Sequence, residues 1–570
     1  MPSRFAVLVA LLAAPAFAAG PDKPKLVVLV VFDQMRGDYL TKWRPLFGTD
    51  GFVRMQTEGA WYVNCHYPYA TTATGPGHAS MLTGTCPDVH GIIHNVWYDR
   101  AGAVVNCAQS DRYQRIPPVP KPAKAGLDEK KEDSILRKEK PAPGTPERLL
   151  APTFGDALKE ATKGQGKVVG LSYKDRSALL PVGAKANAAY WFDNADGTVV
   201  TSSFYRDAVH PWVAAFNASR MADRWFDLPW EHVRKDLDYV KYSGPDDAAG
   251  EGKGSKQGVT FPHPMDGGLK AVGKAYYEAL YNSPFGNVLL LALAKEAIIA
   301  EKLGQHREPD LLSVSFSSND VVGHTWGPDS QEVLDVTLRS DRLLADLLKF
   351  LDDAVGKGKY IVCLTADHGI CPLPEQAARH GVDAKRVSIK AMAVAAETFL
   401  RETYDDPREV PTKWIEAVTF PWMYLNEKAV EAHGLKPSAI ARTLANFLAR
   451  QDGVFRTFTR ADLAIEPDPY DAIGRRMRRS YFPARSGDVA LLLRPYWLAS
   501  EENLTGTSHG TPFDYDTHVP LLVFGPNVKP GVRKEEVTPQ AIAAIFARAL
   551  GIPPPAKAEF PVPDGLFEKE

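Results

Sequence analysis

The sequence has few cysteines, no excess charge of one sign and no long apolar run beyond its N-terminus. Five cysteines in 570 residues are too few for a disulfide scaffold. The formal net charge of -2 lacks the basic excess of a dedicated nucleic-acid binder, so we expect no nucleic acid as a specific partner. After the N-terminal segment, no run reaches the roughly 18 apolar residues that a membrane-spanning helix needs. A glycine repeat and sustained heptads are also missing, which excludes collagen-like and coiled-coil rods.

The N-terminus has the three parts of a secretory signal peptide. Arg4 precedes an apolar run, and this run ends in the A-x-A pattern of Ala16 to Ala18. A short membrane anchor is the alternative, but the run is short for a span and contains Pro15. We therefore predict a signal peptide at residues 1–18 and a periplasmic or secreted mature protein.

The remaining composition is that of an ordinary folded protein, with 45% hydrophobic and 24% charged residues. This apolar content is enough to offset the chain entropy lost on folding. An odd number of cysteines in an exported protein leaves at least one unpaired, unless a partner chain supplies another. Cys86–Cys107 and Cys363–Cys371 are candidate bridges by proximity in the sequence only.

Continuous apolar runs alternate with helical patterns along the chain. Because the runs are continuous, they predict strands of a parallel sheet that is buried on both faces. The runs are Leu26–Phe32, Val168–Ser172, Leu311–Phe316, Tyr360–Thr365, Val489–Leu493 and Val519–Phe524. Helical patterns lie between many of them, at Ala79–Leu82, Val288–Ala300, Val333–Asp352 and Pro539–Leu550. The alternation predicts an α/β fold in which helices sandwich a mostly parallel sheet.

Three segments interrupt this predicted core. Residues 117–147 are rich in Pro, Lys and Glu and predict a solvated excursion. Residues 184–285 and 388–487 are long, and we interpret both as insertions that cap the core and shape substrate access. The predicted core then consists of residues 19–183, 286–387 and 488–570, the last of which ends in a Pro-rich tail.

Aspartate and histidine residues recur where the predicted strands end, which is where open α/β sheets place their ligand sites. Six candidate metal ligands occur in four places: Asp33, Asp320, His324, Asp367, His368 and His509. Any one of these places alone is weak evidence, since a lone Asp after a strand is most often a helix N-cap. Their joint appearance at successive strand ends favours a metal site.

The spacing of these ligands indicates how they would converge. Asp320 and His324 are four residues apart, so on a helical turn both side chains face the same way. Asp367 and His368 are adjacent and must lie in the loop after a strand, because strand neighbours point to opposite faces. Mixed carboxylate and imidazole ligands favour zinc or a similar first-row ion. Six ligands divide into two sets of three, which predicts a binuclear site.

A threonine in a glycine-rich loop is the candidate nucleophile. Thr74 is followed by Gly75, Pro76 and Gly77 and then by a short helical pattern. Backbone N–H groups at a helix N-terminus stabilise an anion there, and metal coordination would favour the threonine alkoxide. The alternative is that Thr74 is only an N-cap and that the glycines form a turn.

Together these motifs resemble those of the alkaline phosphatase superfamily. The closer resemblance is to the exported, phosphate-irrepressible alkaline phosphatases and to the related nucleotide pyrophosphatase/phosphodiesterases, and it spans about residues 24–550. It implies an alkaline-phosphatase-like core with two zinc ions and a covalent phosphothreonine intermediate at Thr74. One zinc ion would be held by Asp320, His324 and His509. The other would be held by Asp33, Asp367, His368 and the Thr74 oxygen.

Two further motifs match this superfamily, and the second separates its branches. Asn95, in HGIIHNVWYDR, matches an Asn that hydrogen-bonds a phosphoryl oxygen in both branches. Lys174 and Arg176, in SYKDRSALL, match the Lys-x-Arg of the phosphate-irrepressible monoesterases, a pair that the diesterase branch lacks. Extra cations favour the dianion of a monoester over the monoanion of a diester. A solvated loop is the alternative for this pair. Other histidines nearby, such as His78, are interpreted as outer or loop residues.

The resulting hypothesis is an exported alkaline phosphatase that releases inorganic phosphate from small phosphate monoesters. The first alternative is a phosphodiesterase or nucleotide pyrophosphatase on the same scaffold. A sulfatase is disfavoured, because Thr74 cannot become the formylglycine that sulfatases form from Cys or Ser. Membrane-bound phosphoethanolamine transferases share the scaffold but need spanning helices. A non-catalytic protein that binds phosphate esters or zinc is the remote alternative. The hypothesis names no particular substrate and no oligomeric state.

Overall fold

A ten-stranded mixed sheet forms the centre of the protein, seen in a computed structural model that describes residues 23–119, 142–500 and 504–568. The predicted signal peptide at 1–18 and most of the predicted excursion at 117–147 lie outside these residues. In spatial order the strands are Gly531–Arg533, Ala60–Tyr62, Leu521–Phe524, Tyr360–Thr365, Leu26–Phe32, Asp310–Phe316, Val168–Ser172, Ala188–Asp193, Thr198–Ser202 and Arg115–Ile116.

The middle of this sheet is parallel. Leu26–Phe32 lies between Tyr360–Thr365 and Asp310–Phe316, and all seven of its residues are buried. Val168–Ser172 continues the parallel arrangement on the far side of Asp310–Phe316. These strands are buried on both faces, which explains their continuous apolar sequences. The predicted α/β fold is therefore confirmed. Because the strands run in parallel, their carboxyl ends meet at one edge of the sheet.

Helices cover both faces of the sheet, as expected for a core of this type. The α-helices are Tyr39–Lys42, Phe52–Glu58, Thr74–Thr83, Pro87–His90, Phe154–Ala161, Asp175–Leu179, Pro211–Ala218, Tyr239–Ser243, Lys274–Tyr281, Pro284–Ala300, Ser318–Trp326, Gln331–Leu351, Pro374–Arg379, Ile389–Tyr404, Glu427–Ala432, Pro437–Leu448, Arg460–Ala464, Ala472–Arg479, Asp514–Thr517 and Ala541–Leu550. Shorter turns of 3₁₀ or π type occur at Arg44–Leu46, Met221–Trp225 and Asp352–Gly356.

A second, smaller sheet has four antiparallel strands and its own apolar cluster. Its strands, in spatial order, are Ile415–Thr419, Trp422–Leu425, Val489–Leu493 and Val454–Thr459. Two-stranded pairs are formed by Val96–Asp99 with Ala103–Asn106 and by Arg386–Ser388 with Leu498–Ser500.

Two predicted parallel strands are not parallel members of the main sheet. Val489–Leu493 belongs to the smaller sheet, where Ala490 packs into the main core while Val489 and Leu491 pack into the second cluster. The strand predicted at Val519–Phe524 is Leu521–Phe524, and it pairs antiparallel with Tyr360–Thr365. Both runs are continuous because they are buried on two faces, and burial on two faces does not determine strand direction.

All five cysteines are buried and free, so neither candidate disulfide forms. Cys86 lies beside Arg479 and Gln540, with Sγ 3.4 Å and 3.5 Å from their side-chain nitrogens. Cys107 instead packs against Gly75, where an added Cβ would lie 2.9 Å from its sulfur. Proximity in the sequence was therefore a poor guide to pairing.

Within the described residues, no single helix combines the length and hydropathy of a membrane span. The helices Lys274–Tyr281 and Pro284–Ala300 meet those criteria only as a pair, across a bend of 87°.

Candidate active site

Polar residues that follow four neighbouring strands meet at the carboxyl edge of the main sheet. Lys174 Nζ lies 2.8 Å from Asp33 Oδ2 and 2.6 Å from Asp320 Oδ2. Asp367 joins them through Gln34, whose backbone N–H donates to Asp367 Oδ1 at 3.0 Å. The parallel register brings these loops together, since Phe32 is paired with Phe316 and Val31 with Thr365.

Three imidazoles face these carboxylates. His368 Nε2 lies 3.3 Å from Asp367 Oδ2 and 3.6 Å from Asp33 Oδ1. Around Asp320 Oδ1, the Nε2 atoms of His324 and His509 lie at 3.2 Å and 3.8 Å. The rings of His368 and His509 stack with their centroids 3.5 Å apart. All six predicted ligands are thus within one cluster.

Each of these imidazoles is oriented by a backbone carbonyl. His324 Nδ1 lies 2.7 Å from Thr507 O, and His509 Nδ1 lies 2.7 Å from Thr72 O. His368 Nδ1 lies 2.9 Å from the carbonyl of Gly369. A carbonyl only accepts, so Nδ1 carries the proton in each ring, and the Nε2 lone pair faces the carboxylates. Carbonyls hold metal-ligating histidines in this way and fix their tautomer.

A second observation also indicates that this cluster can bind a metal ion. Asp33 Oδ1 and Asp367 Oδ2 are buried and have no hydrogen-bond partner in the part of the chain that the structure describes. An unpartnered buried carboxylate oxygen is costly unless a cation approaches it. Two groups bring three potential ligand atoms within 4.8 Å of one another, namely Asp320 with His368 and His509, and Asp33 with His78 and Asp367. Carboxylate and imidazole ligands of this kind suit zinc.

The charges of the cluster act strongly on one another. Burial raises the pKa of Asp33, and the nearby Asp367 carboxylate raises it further. Burial also acts on Asp320, but Lys174 and His324 outweigh it and hold the pKa of that carboxyl well below its usual range. The pKa of His509 is lowered, first by burial and then by His368 and His324, so this imidazole is neutral. The ionised Asp320 carboxylate and the neutral His509 imidazole are thus in the forms that bind a metal.

Thr74 lies at the start of the helix Thr74–Thr83, directly beside the cluster. The preceding residue, Ala73, is extended, and every residue of the helix is buried. Thr74 Oγ1 lies 3.4 Å from His368 Nε2 and 3.4 Å from Lys174 Nζ. The helix can approach this closely because residue 77 is glycine, where an added Cβ would lie 2.3 Å from the carbonyl oxygen of Asp367.

Two of the three remaining predicted site residues contact the start of the helix Thr74–Thr83. Asn95 Oδ1 accepts a hydrogen bond of 2.7 Å from the N–H of Gly75, directly after Thr74. Lys174, which approaches the Thr74 hydroxyl, is almost completely buried, with 8% of its side chain exposed. Arg176 lies two residues further on, and its Nε is buried without a partner among the described residues. Its guanidinium is 3.9 Å from Asp175, so it retains donors for an anion.

Two further residues support the cluster: sequence reasoning missed Gln34, and it interpreted His78 only as an outer or loop residue. Gln34 Nε2 donates to Asp320 Oδ1 at 2.6 Å, from a backbone held at a φ of 67°. His78 Nδ1 lies 2.9 Å from Thr74 O and 3.2 Å from Asp367 Oδ2, while its Nε2 lies 2.8 Å from Ser315 Oγ. Their positions in the sequence could have indicated these roles, because Gln34 directly follows Asp33 and His78 lies one helical turn after Thr74.

An α/β sheet with such a cluster and a threonine at a helix N-terminus defines a hydrolase of the alkaline phosphatase superfamily. The chain belongs to the type I phosphodiesterase / nucleotide pyrophosphatase family, whose sequence model matches residues 27–512. The predicted resemblance is therefore confirmed.

Individual relatives match over nearly their whole length. Alkaline phosphatase PhoV of Synechococcus elongatus is 34% identical over 541 residues, which cover 94% of this chain and 91% of PhoV. A Myroides odoratus protein named calcium-transporting ATPase is 32% identical over 543 residues, covering 95% of this chain and 93% of that protein. The crystal structure of wild-type alkaline phosphatase PafA superposes with a TM-score of 0.85 at 30% identity, covering 96% of this chain and 99% of PafA. The predicted enzyme class, a phosphoric monoester hydrolase, is confirmed by the alkaline phosphatase relatives.

Proposed function

We propose that the protein is an exported alkaline phosphatase that hydrolyses small phosphate monoesters through a phosphothreonine at Thr74, with two zinc ions in the carboxylate and imidazole cluster. The observation that carries the proposal is the position of the Thr74 hydroxyl, 3.4 Å from both His368 Nε2 and Lys174 Nζ. A nucleophile, a candidate ligand set and a buried cation thus occupy one place. The names of PhoV and PafA support the same class of substrate.

In the first step, the Thr74 oxygen bonds to phosphorus as the bond from phosphorus to the alcohol oxygen breaks. The alcohol leaves with a proton, and the threonine hydroxyl loses one. In the second step, water cleaves the bond between phosphorus and the Thr74 oxygen, which releases inorganic phosphate and restores the hydroxyl. The Thr74 oxygen lies at the N-terminal end of the helix Thr74–Thr83, where the helix dipole favours negative charge.

Lys174 and Arg176 are the residues that select a monoester. A monoester carries close to two negative charges, whereas a diester carries one. The Lys174 ammonium is held charged, because the carboxylates of Asp320 and Asp33 outweigh its burial and raise its pKa. Arg176 offers a buried Nε without a partner among the described residues. Two fixed cations beside Thr74 therefore stabilise the dianion and its transition state more than a diester.

Six side chains would hold the zinc ions: Asp320, His324 and His509 for one, and Asp33, Asp367 and His368 for the other, together with the Thr74 oxygen. When bound, two divalent ions supply charge that stabilises the attacking and leaving oxygens. The protein's own part is to fix the ligands. His78 and Gln34 hold Asp367 by hydrogen bonds or close contact, and Gln34 also holds Asp320.

The role of Thr74 is tested with Thr74→Ala and Thr74→Ser. We expect Thr74→Ala to lose turnover while the purified protein retains its metal, because only the nucleophile is removed. Thr74→Ser keeps a hydroxyl at the same place and is expected to retain measurable activity. Acid quenching of wild type with substrate, followed by mass spectrometry, is expected to trap phosphate on Thr74. Substantial turnover by the alanine variant would remove Thr74 from this role.

Substrate class is tested with Lys174→Ala and Arg176→Ala on a nitrophenyl phosphate and a bis-nitrophenyl phosphate. Each variant is expected to lose roughly 2–4 kcal/mol of transition-state stabilisation on the monoester, comparable to the loss of an oxyanion donor. The diester rate is expected to fall far less. Equal losses on both substrates, or a wild-type preference for the diester in kcat/KM, would favour the phosphodiesterase alternative.

A further inference from the structure

Tyr281 brings a hydroxyl group to the active site from the segment 184–285, outside the motifs described above. It is the last residue of the helix Lys274–Tyr281. Its ring stacks on Tyr173, with centroids 4.5 Å apart and planes within 1° of each other. Tyr173 directly precedes Lys174, so this stack fixes the tyrosine ring beside the lysine that approaches Thr74.

The Tyr281 hydroxyl lies among the charged groups of the site. Its oxygen is buried and has no hydrogen-bond partner in the part of the chain that the structure describes. Its pKa is raised, first by burial, and four charged neighbours also act on it: Lys174, Asp320, Asp33 and Arg176. Such interactions weaken with distance, so the hydroxyl is close to these groups. The phenolic hydroxyl of a tyrosine can donate a hydrogen bond.

The other tyrosines of the same helix use their hydroxyls within the protein. Tyr276 donates to the carbonyl of Ala222, and Tyr277 donates to Asp223 Oδ1 at 2.8 Å. Buried hydroxyls in folded proteins are nearly always paired in this way. The Tyr281 hydroxyl is buried and unpaired on a ring that stacks on the residue before Lys174, and it therefore indicates a ligand that supplies the acceptor.

We propose that Tyr281 is a further substrate-binding residue, whose hydroxyl donates a hydrogen bond to a non-bridging phosphoryl oxygen beside Lys174 and Arg176. The proposal rests on the proposed function, because it assigns a further donor to the same phosphoryl group. A phosphate monoester dianion offers acceptor oxygens only, which matches a donor without a partner. Segment 184–285 would then contribute directly to recognition of the dianion.

The test is Tyr281→Phe, which keeps a ring for the stack on Tyr173 and removes only the hydroxyl. We expect kcat/KM for a monoester to fall about tenfold and the inhibition constant of inorganic phosphate to rise by a similar factor, as for the loss of a hydrogen bond to a charged group. Tyr277→Phe is the matched control, since it removes a hydroxyl from the same helix that is bonded to Asp223. Its kinetics are expected to equal those of wild type. An unchanged kcat/KM and phosphate inhibition in Tyr281→Phe would overturn the proposal.

A double-mutant cycle distinguishes substrate binding from positioning of Lys174. If the hydroxyl contacts substrate, Tyr281→Phe should still lower kcat/KM about threefold or more in a Lys174→Ala background. A smaller effect in that background means that Tyr281 acts through Lys174, and it overturns the proposal. Failure of the proposed function is recognised separately: Thr74→Ala would keep turnover, or Lys174→Ala and Arg176→Ala would slow monoester and diester equally.

Discussion

Two buried carboxyl groups, Glu251 and Glu332, lie outside the active site, and Glu332 influences the ionisation of Glu251. Glu251 is 6% exposed and Glu332 is fully buried. Burial, with the Glu332 carboxylate as the next cause, raises the pKa of Glu251 to about 9. Burial likewise raises the pKa of Glu332, although His263 Nε2 lies 3.1 Å from its Oε1. The folded chain therefore holds a proton here that an unfolded chain releases.

This raised pKa predicts a stability that decreases with pH. The contribution of Glu251 is fully present below its ordinary pKa of 4.5 and is lost as pH rises towards about 9. Across this window the free energy of unfolding should fall by up to about 1.4 kcal/mol per pH unit. We expect Glu251→Gln to have a flatter dependence of Tm on pH between about pH 5 and pH 9 than wild type. Thermal melts at several pH values measure this.

The control for that experiment is Glu402→Gln, at an exposed position of the helix Ile389–Tyr404. It should follow the wild-type pH dependence. Identical slopes for wild type and Glu251→Gln would show that Glu251 ionises normally in the folded protein.

Sequence reasoning at the level of residues identified the polar cluster but not all of its members. Asp33, Thr74 and His509 were recognisable because the motifs that contain them are specific in combination. Tyr281 was not recognisable, because aromatic residues are common and nothing in the sequence places the end of a helix 107 positions downstream beside Lys174. The catalytic and metal-binding roles of the predicted residues remain predictions that the proposed variants test.

Among the secondary-structure elements, the helix Thr74–Thr83 depends on close contact with the loop at Asp367. We expect Gly77→Ala to displace this loop, because the new Cβ would lie 2.3 Å from Asp367 O and 2.7 Å from Asp367 Cβ. Overpacking of this kind typically costs about 1–3 kcal/mol of stability. Monoesterase activity should fall at least about tenfold, and metal content should fall with it, because Asp367 is a proposed ligand.

Gly48→Ala is the control for this substitution, since its Cβ would lie 3.5 Å from Asp341 Oδ2, an ordinary contact. It should match wild type in activity and metal content. Full activity and full metal content of Gly77→Ala would mean that the helix and the loop do not need this close approach.

The sequence predicted most core elements but not every strand direction. Leu26–Phe32, Val168–Ser172 and Tyr360–Thr365 are strands with the predicted bounds. Val489–Leu493 and Leu521–Phe524 are strands as well, but they are antiparallel to their neighbours. The apolar pattern of a strand indicates how many of its faces are buried. The direction of a strand relative to its neighbours depends instead on the connections between strands, which a local pattern does not contain.

At the scale of the whole molecule, the protein is held together without disulfide bonds. We expect five thiols to react with a thiol reagent in denaturant without reductant, because all five cysteines are free. Few should react in the native protein, since all five are buried. Reductant should leave Tm unchanged. Three reactive thiols in denaturant would instead indicate one disulfide bridge, and a single reactive thiol would indicate two.

The sequence predicted the overall architecture better than it predicted which strands belong to which sheet. Alternating apolar runs and helical patterns predicted the α/β class, and the family match over residues 27–512 agrees with it. The smaller sheet, with its own apolar cluster, was not predicted. Only Ile415–Thr419 and Trp422–Leu425 are close in sequence, and no local signal connects Trp422–Leu425 with Val489–Leu493.

The groups of the active site come from distant parts of the chain. His509 and Thr72 are 437 positions apart, and Gln34 and Asp367 are 333 positions apart. A nascent chain that still lacks the stretch around His509 has no complete ligand set. A chain that passes unfolded through a translocon has none of these contacts. For the exported zinc enzyme that we propose, the ions would then be acquired where the chain folds. Metal supply in that compartment, rather than in the cytosol, would set how much enzyme becomes active.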